Sequence, residues 1–210
     1  MGCWNNPGFN QDPTHPVCGI SWDDAHAFCL WLTKKEQQMG VIAKNHMYRL
    51  PTDAEWGEAV GASKYPWGNQ WPPPAGAGNF AGEEILDANW PSNSPCIHGY
   101  RDGFARTSPV GTFAANQYGL YDLVGNLGEW CEDCFQKEMK SDWLRPENPN
   151  PMARFIPPDS RIWRGAAWSG GTPGALASSN HRWGWPDARS AGIGFRVVLA
   201  NDKVLSTKTN

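Results

Sequence analysis

The chain has 210 residues, with 13 Trp, 23 Gly and 18 Pro, 19% charged residues and a formal net charge of −3. Gly and Pro together make about a fifth of it, below the roughly 25–30% at which low-complexity disorder sets in, and so many indole rings can bury a compact core, so a disordered chain is excluded. Neither a basic nucleic-acid footprint nor a polybasic membrane signal is present, no apolar run approaches the roughly 18–20 residues that span a bilayer, and residues 1–20 lack the plan of a secretory signal; a soluble protein of open compartment is expected.

Ser21-Trp22-Asp23-Asp24 has the form of a capping box, and Ala25, Phe28, Cys29 and Leu32 follow at one-face helical spacing. The pattern predicts a helix over 22–38 that ends near Gly40. Thr52-Asp53-Ala54-Glu55 repeats the device and predicts a second, short helix with Trp56, Ala59 and Val60 on one face, stopped by Gly61. From Tyr65 to Asn116 the chain is punctuated by Pro-Trp-Gly, Trp-Pro-Pro-Pro and Asp-Gly-Phe, which are turn signals. Two strands are predicted, over 161–164 and 193–199. The long Gly/Ala/Ser/Trp-rich stretch between them is expected to be a functional loop. No internal repeat or domain boundary is visible, so one domain over 1–210 is expected.

The cysteines are Cys3, Cys18, Cys29, Cys96, Cys131 and Cys134. Their density is far below that of a disulfide scaffold. Cys131-Glu132-Asp133-Cys134 is a single C-x-x-C with no second pair at zinc-finger spacing and no βαβ context for a redox motif. Cys18 and Cys29 lie at and on the first helix and are expected to be buried apolar residues.

Several ordered motifs resemble one family. They are Ile20-Ser21-Trp22-Asp23-Asp24-Ala25, Tyr48-Arg49-Leu50-Pro51-Thr52-Asp53-Ala54-Glu55-Trp56, Tyr65-Pro66-Trp67-Gly68, Tyr118-Gly119-Leu120-Tyr121-Asp122-Leu123-Val124-Gly125-Asn126, Glu129-Trp130-Cys131, Arg164-Gly165 and Gly194-Phe195-Arg196. Together they are similar to the formylglycine-generating enzyme (sulfatase-modifying factor) family over about residues 15–199. The resemblance implies an α+β domain with a C-type-lectin fold of the formylglycine-generating-enzyme type: two short helices, small twisted antiparallel sheets and extensive irregular loops.

Fold does not settle function. The family's copper oxidases need a cysteine pair in the C-terminal segment, where two thiolates bind soft Cu(I); here no cysteine follows Cys134, so no copper is expected. Its iron-dependent sulfoxide synthases need a histidine site from an extra helical domain, which the five scattered His do not supply. A non-catalytic ligand binder is therefore expected, with an oxidase of the family or an undiversified structural member as the alternatives.

Apart from Trp168, Trp183 and Trp185, every residue of 166–192 belongs to the set reached from the Asn codon AAC by changing its adenines, and Lys, Glu, Gln and Met are missing from 153–202. This resembles the variable proteins of diversity-generating retroelements. The resemblance implies a variable ligand-binding segment over 166–192, with Ser169, Gly170, Gly171, Thr172, Gly174, Ala175, His181, Gly184, Ala188, Ser190, Ala191 and Gly192 as diversified positions. Trp183 and Trp185 are candidate aromatic anchors, while Trp163 and Trp168 are expected in the core. Arg182, Pro186 and Arg189 are expected in the fixed frame. The expected partner is an unidentified protein or surface ligand.

The family also implies structural calcium. One site would use the side chains of Asn79 and Asp102 with the carbonyls of Phe80 and Phe104; a second would use Asp122 and Glu129 with the carbonyls of Gly125 and Leu127. Mixed carboxylate and carbonyl oxygens suit a hard cation.

Overall fold

A computed structural model describes residues 3–88, 90–91, 93–135 and 159–201. Most of the Pro/Asn-rich stretch 135–160, to which the sequence assigns no role, lies outside them. The first helix, α1 (Trp22–Gln38), starts where the capping box places it: Ser21 Oγ accepts the Asp24 N–H and the Asp24 carboxylate accepts the Ser21 N–H. It buries Trp22, Ala25 and Cys29. In α2 (Asp53–Val60), Thr52 and Glu55 form the same reciprocal cap, and Gly61 ends the helix at a φ of 87°. A third helical turn, α3 (Glu84–Asp87), is additional to the sequence expectation.

Strand β1 (His46–Arg49) pairs antiparallel with β6 (Val198–Asn201) in a two-stranded sheet. A second sheet has the order β4-β3-β2-β5, from β2 (Gly128–Cys134), β3 (Arg161–Arg164), β4 (His181–Gly184) and β5 (Ile193–Gly194). The β2/β5 pair is parallel, so the sheets are not all antiparallel as expected. A register shift between Trp130 and Cys134 bends β2.

Two corrections concern the C-terminal third. The run 193–199 is not one strand. It divides between the two sheets, because Arg196 turns inward to hold the Glu129 carboxylate at 2.5 and 2.6 Å while Phe195 packs edge-on against Phe28 of α1. Gly194 fixes the first half: a Cβ there would meet the Val17 carbonyl oxygen at 2.7 Å and Leu127 at 2.8 Å. The segment between the predicted strands is not wholly irregular either, since it contains β4, registered so that Trp163 faces Arg182 and Arg164 faces His181.

Aromatic packing builds the interior. One cluster gathers Trp56, Tyr65, Phe80, Tyr100, Phe135, Ile162 and Leu176, and a second gathers Trp22, Leu50 and Trp130 beneath α1. The buried indole N–H groups are satisfied: Trp22 Nε1 donates to the Cys131 carbonyl, Trp130 Nε1 to the Ile20 carbonyl and Trp56 Nε1 to Glu129. Each bond joins elements remote in sequence, so the rings locate loops as well as fill space. Cys18 and Cys29 are fully buried, and none of the six cysteines forms a disulfide among the described residues. Burial pushes the Cys18 and Cys29 thiols up to about 11.

Candidate ligand-binding surface

Residues 166–192 lie across the four-stranded sheet and α1, held by contacts to distant elements. The Trp168 N–H donates to the Asn126 carbonyl and its indole to that of Ala191. Its ring, 8% exposed, meets Phe9 and Trp90 edge-on. Leu176 is fully buried. The Gly19 N–H donates to the Ser190 carbonyl, and Arg189 pairs with Asp24 at the start of α1 at 2.6 Å. The loop is thus tied to distant parts of its own chain.

On that frame the fourteen candidate residues separate. Ser169, Thr172, Gly174, Trp185 and Ser190 are exposed, with Trp185 at 56%. Ala175, Ala188 and Ala191 are half-buried, and Trp183 is half-buried against the main core cluster. Trp163 is likewise only partly buried, packed against the cluster beneath α1. Of the two candidate anchors Trp185 is therefore the open one, lining a concavity of about 410 Å³ with Asp23, Asp159, Pro186 and Asp187.

The glycines divide on steric grounds. A Cβ on Gly171 would lie 2.5 Å from the Pro95 carbonyl oxygen, on Gly184 2.7 Å from the Trp130 ring, on Gly192 2.9 Å from the Ala167 Cβ, and on Gly170 3.1 Å from Leu176 and the Ala167 carbonyl oxygen. Gly174 has nothing within 4 Å. Four of these five positions thus have a packing reason to be glycine, which narrows the variable set the sequence implies.

His181 is an anchor as well. Its Nδ1 lies 2.7 Å from the Ser179 carbonyl oxygen and its Nε2 3.0 Å from Asp53 Oδ2, while Arg164 bonds the other Asp53 oxygen and the Ser178 carbonyl. Burial would raise the Asp53 carboxyl, but hydrogen bonds from His181 and Arg164 outweigh it and hold the group below the usual carboxylate range. Sequence reasoning missed Asp53 because its partners lie more than a hundred residues away.

The two calcium sets fare differently. Asn79 is fully buried and its Oδ1 has no partner among the described residues, while Nδ2 donates to the Arg106 carbonyl. The Asp102 oxygens accept the N–H groups of Phe80 and Phe104, and burial pushes its carboxyl up to about 6. An orphaned buried oxygen on Asn79 and a desolvated carboxyl that holds the N–H of the next residue are donors whose chemistry fits a hard cation. In the second set Asp122, at a φ of 56°, accepts the Gly111 N–H. Both Glu129 oxygens, however, face Arg196, and Trp56 donates to one of them. Arg196 already neutralises Glu129, so this set fits a dication poorly.

Residues 2–201 match the family model described as the sulfatase-modifying factor enzyme 1-like domain. The chain is 32% identical over 197 residues to a formylglycine-generating enzyme of Thermomonospora curvata, covering 89% of this chain and 56% of that protein. It is also 32% identical over 212 residues to an inactive C-alpha-formylglycine-generating enzyme 2 of Bos taurus, covering 93% and 55%. The chain therefore spans about half the length of these curated relatives. Among solved structures, the fold is similar to Treponema denticola variable protein 1 at a TM-score of 0.60 and 24% identity, covering 92% of this chain and 77% of that one. PvdO from Pseudomonas aeruginosa has the same TM-score and identity, with 90% and 63% covered.

Proposed function

This chain belongs to the sulfatase-modifying factor enzyme 1-like family, and from that premise we propose that it is a non-catalytic ligand-binding member whose recognition surface, built from residues 166–192, is diversified by a retroelement. One observation carries the reading. Within that segment the exposed positions Ser169, Thr172, Gly174 and Ser190 and the open ring of Trp185 stand on a frame fixed by Trp168, Leu176, His181 and Arg189. Small adaptable residues around a rigid aromatic on an ordered support make a surface that binds at low entropic cost. The segment has no cysteine to hold copper as the oxidases do. Similar proteins include one named inactive and one named a variable protein.

Calcium belongs to the same reading as a structural ion. Asn79 and Asp102 with the carbonyls of Phe80 and Phe104 would hold it, and its charge would pin the loops that carry them. The Phe80 carbonyl also accepts the Gly82 N–H, which turns the chain at that point.

Two measurements test the function. Sequencing the locus is expected to find a near-repeat of the 160–200 coding region beside a reverse transcriptase; absence of both refutes diversification. Copper titration with an oxidation assay on a cysteine-containing peptide is expected to show no turnover, and turnover would refute the binder.

A further inference from the structure

Between the loop 166–175 and the sheet lies a concavity of about 250 Å³ lined by Pro95, Trp163, Ser169, Gly171, Thr172 and Arg182, with small alanine and glycine surfaces between them. It is smaller than the roughly 300–1,000 Å³ of pockets that enclose a whole organic ligand, and is sized for one side chain or a group like it. Its polar character is one-sided. None of the described residues lining it is acidic. Arg182 lies 5.2 Å over the Trp163 ring and has no ion pair or hydrogen-bonded side-chain partner among the described residues.

The other arginines of this part of the chain are committed: Arg164 to Asp53, Arg189 to Asp24 and Arg196 to Glu129, while Arg161 donates to the Glu132 carbonyl and lies over the Trp22 ring. The backbone adds to the asymmetry, because the N–H groups of Ser169, Gly171 and Thr172 donate to no acceptor among the described residues. Gly171 keeps the floor bare, since a Cβ there would strike Pro95.

We propose that this concavity is a subsite for a carboxylate, with the guanidinium of Arg182, placed over the Trp163 ring, donating to both oxygens. The inference rests on the reading of 166–192 as a recognition surface and names the chemistry of its ligand. A guanidinium presents a rigid, planar fork of donors, and a carboxylate is the planar anion that matches that fork. Spare amide donors beside it form the kind of concavity that accepts anions. Arg182 is expected in the fixed frame on sequence grounds; its place at the rim of the concavity makes it a specificity-determining residue.

The test uses the full chain and two isosteric probes, N-acetyl-aspartate methylamide and N-acetyl-asparagine methylamide, followed by NMR of the arginine Nε–H and indole Nε1–H resonances. The aspartate probe is expected to shift the Arg182 and Trp163 signals saturably and to bind about tenfold or more tightly than the asparagine probe, as charge-assisted hydrogen bonds imply. Arg182→Gln should abolish the difference and Arg182→Lys retain part of it. Acetate as a third arm separates sources: saturable, Arg182-dependent binding of acetate assigns the subsite to free carboxylates, and response to the peptide probe alone assigns it to an acidic side chain. Equal response to the two isosteres, or no shift at Arg182 with either, overturns the carboxylate assignment. Equal response leaves the recognition surface standing, whose failure is read separately from the locus and the turnover assay.

Discussion

The sharpest consequence of the glycine geometry is that two positions three residues apart in the same loop should respond to the same substitution with opposite sign. In Gly171→Ala the new Cβ would sit 2.5 Å from the Pro95 carbonyl oxygen and 2.7 Å from its carbonyl carbon, both backbone atoms that a rotamer change cannot move. Overpacking of this kind costs about 1–3 kcal/mol, and a backbone obstacle puts it in the upper half of that range. For a chain of this size each kcal/mol moves the thermal midpoint by roughly 2–4 °C, so the midpoint should fall by about 4–12 °C.

Gly174→Ala meets nothing within 4 Å and reduces the freedom of the unfolded chain, so it should leave stability unchanged or raise it by up to about 1 kcal/mol. Thermal unfolding followed by tryptophan fluorescence, with reversibility checked, reads both variants. Equal midpoints would refute the argument, and with it the conclusion that Gly171 is excluded from the variable set while Gly174 is open.

Three further outcomes follow. Arg196→Met should destabilise by about 3–5 kcal/mol in urea unfolding, because it strands the largely buried Glu129 carboxylate; the double variant with Glu129→Gln should recover part of that loss. Glu55 is held to about 2, first by its hydrogen bonds from Arg49. Its folded value is thus below the unfolded value of about 4.3, and its stabilisation is present above that value and lost as pH falls toward 2. Glu55→Gln should therefore flatten the acid limb of the urea midpoint between about pH 5 and pH 2, by a modest amount because the side chain is 41% exposed. Calcium in hundredfold excess over its dissociation constant should stabilise the wild type by about 2.7 kcal/mol; Asp102→Asn should show a smaller gain, and identical midpoints with and without the ion would refute the Asn79/Asp102 site.

What was legible in the sequence was what is settled within a few residues. Both capping boxes are local bonds between positions i and i+3, so the starts of α1 and α2 follow from Ser21 and Thr52 alone. β3 was legible from its adjacent β-branched and aromatic residues, Ile162 and Trp163. By contrast β4, His-Arg-Trp-Gly, carries no apolar alternation; it is a strand because it pairs with β3 and because Gly184 lets the Trp130 ring approach. β2 was hidden by its acidic residues, of which Glu129 is tolerated at 7% exposure through Arg196, 67 positions away. The break after Gly194 has the same origin. The candidate surface shows the same division: the restricted alphabet of 166–192 marks a region, but which glycines are packed and which arginines are tied depends on Pro95, Asp53 and Asp24, which no local pattern connects.

That dependence bears on the binding role proposed for the segment. Binding loses affinity to whatever ordering the loop must undergo at that moment, about 0.5–1.5 kcal/mol for each flexible side chain immobilised. Here the segment is tied to its own chain at four points. His181 is tied to Asp53, Arg189 to Asp24, the Ser190 carbonyl to Gly19 and Trp168 to Asn126. The exposed positions between these ties are mostly small, and small residues contribute little rotamer entropy of their own. The arrangement would let the side chain change at Ser169 or Gly174 without loosening the backbone, whereas Thr172 and Ser190 accept the Ala175 and Gly192 N–H groups and hold the loop locally. A segment whose anchors were also its variable positions would lose its shape each time its specificity changed.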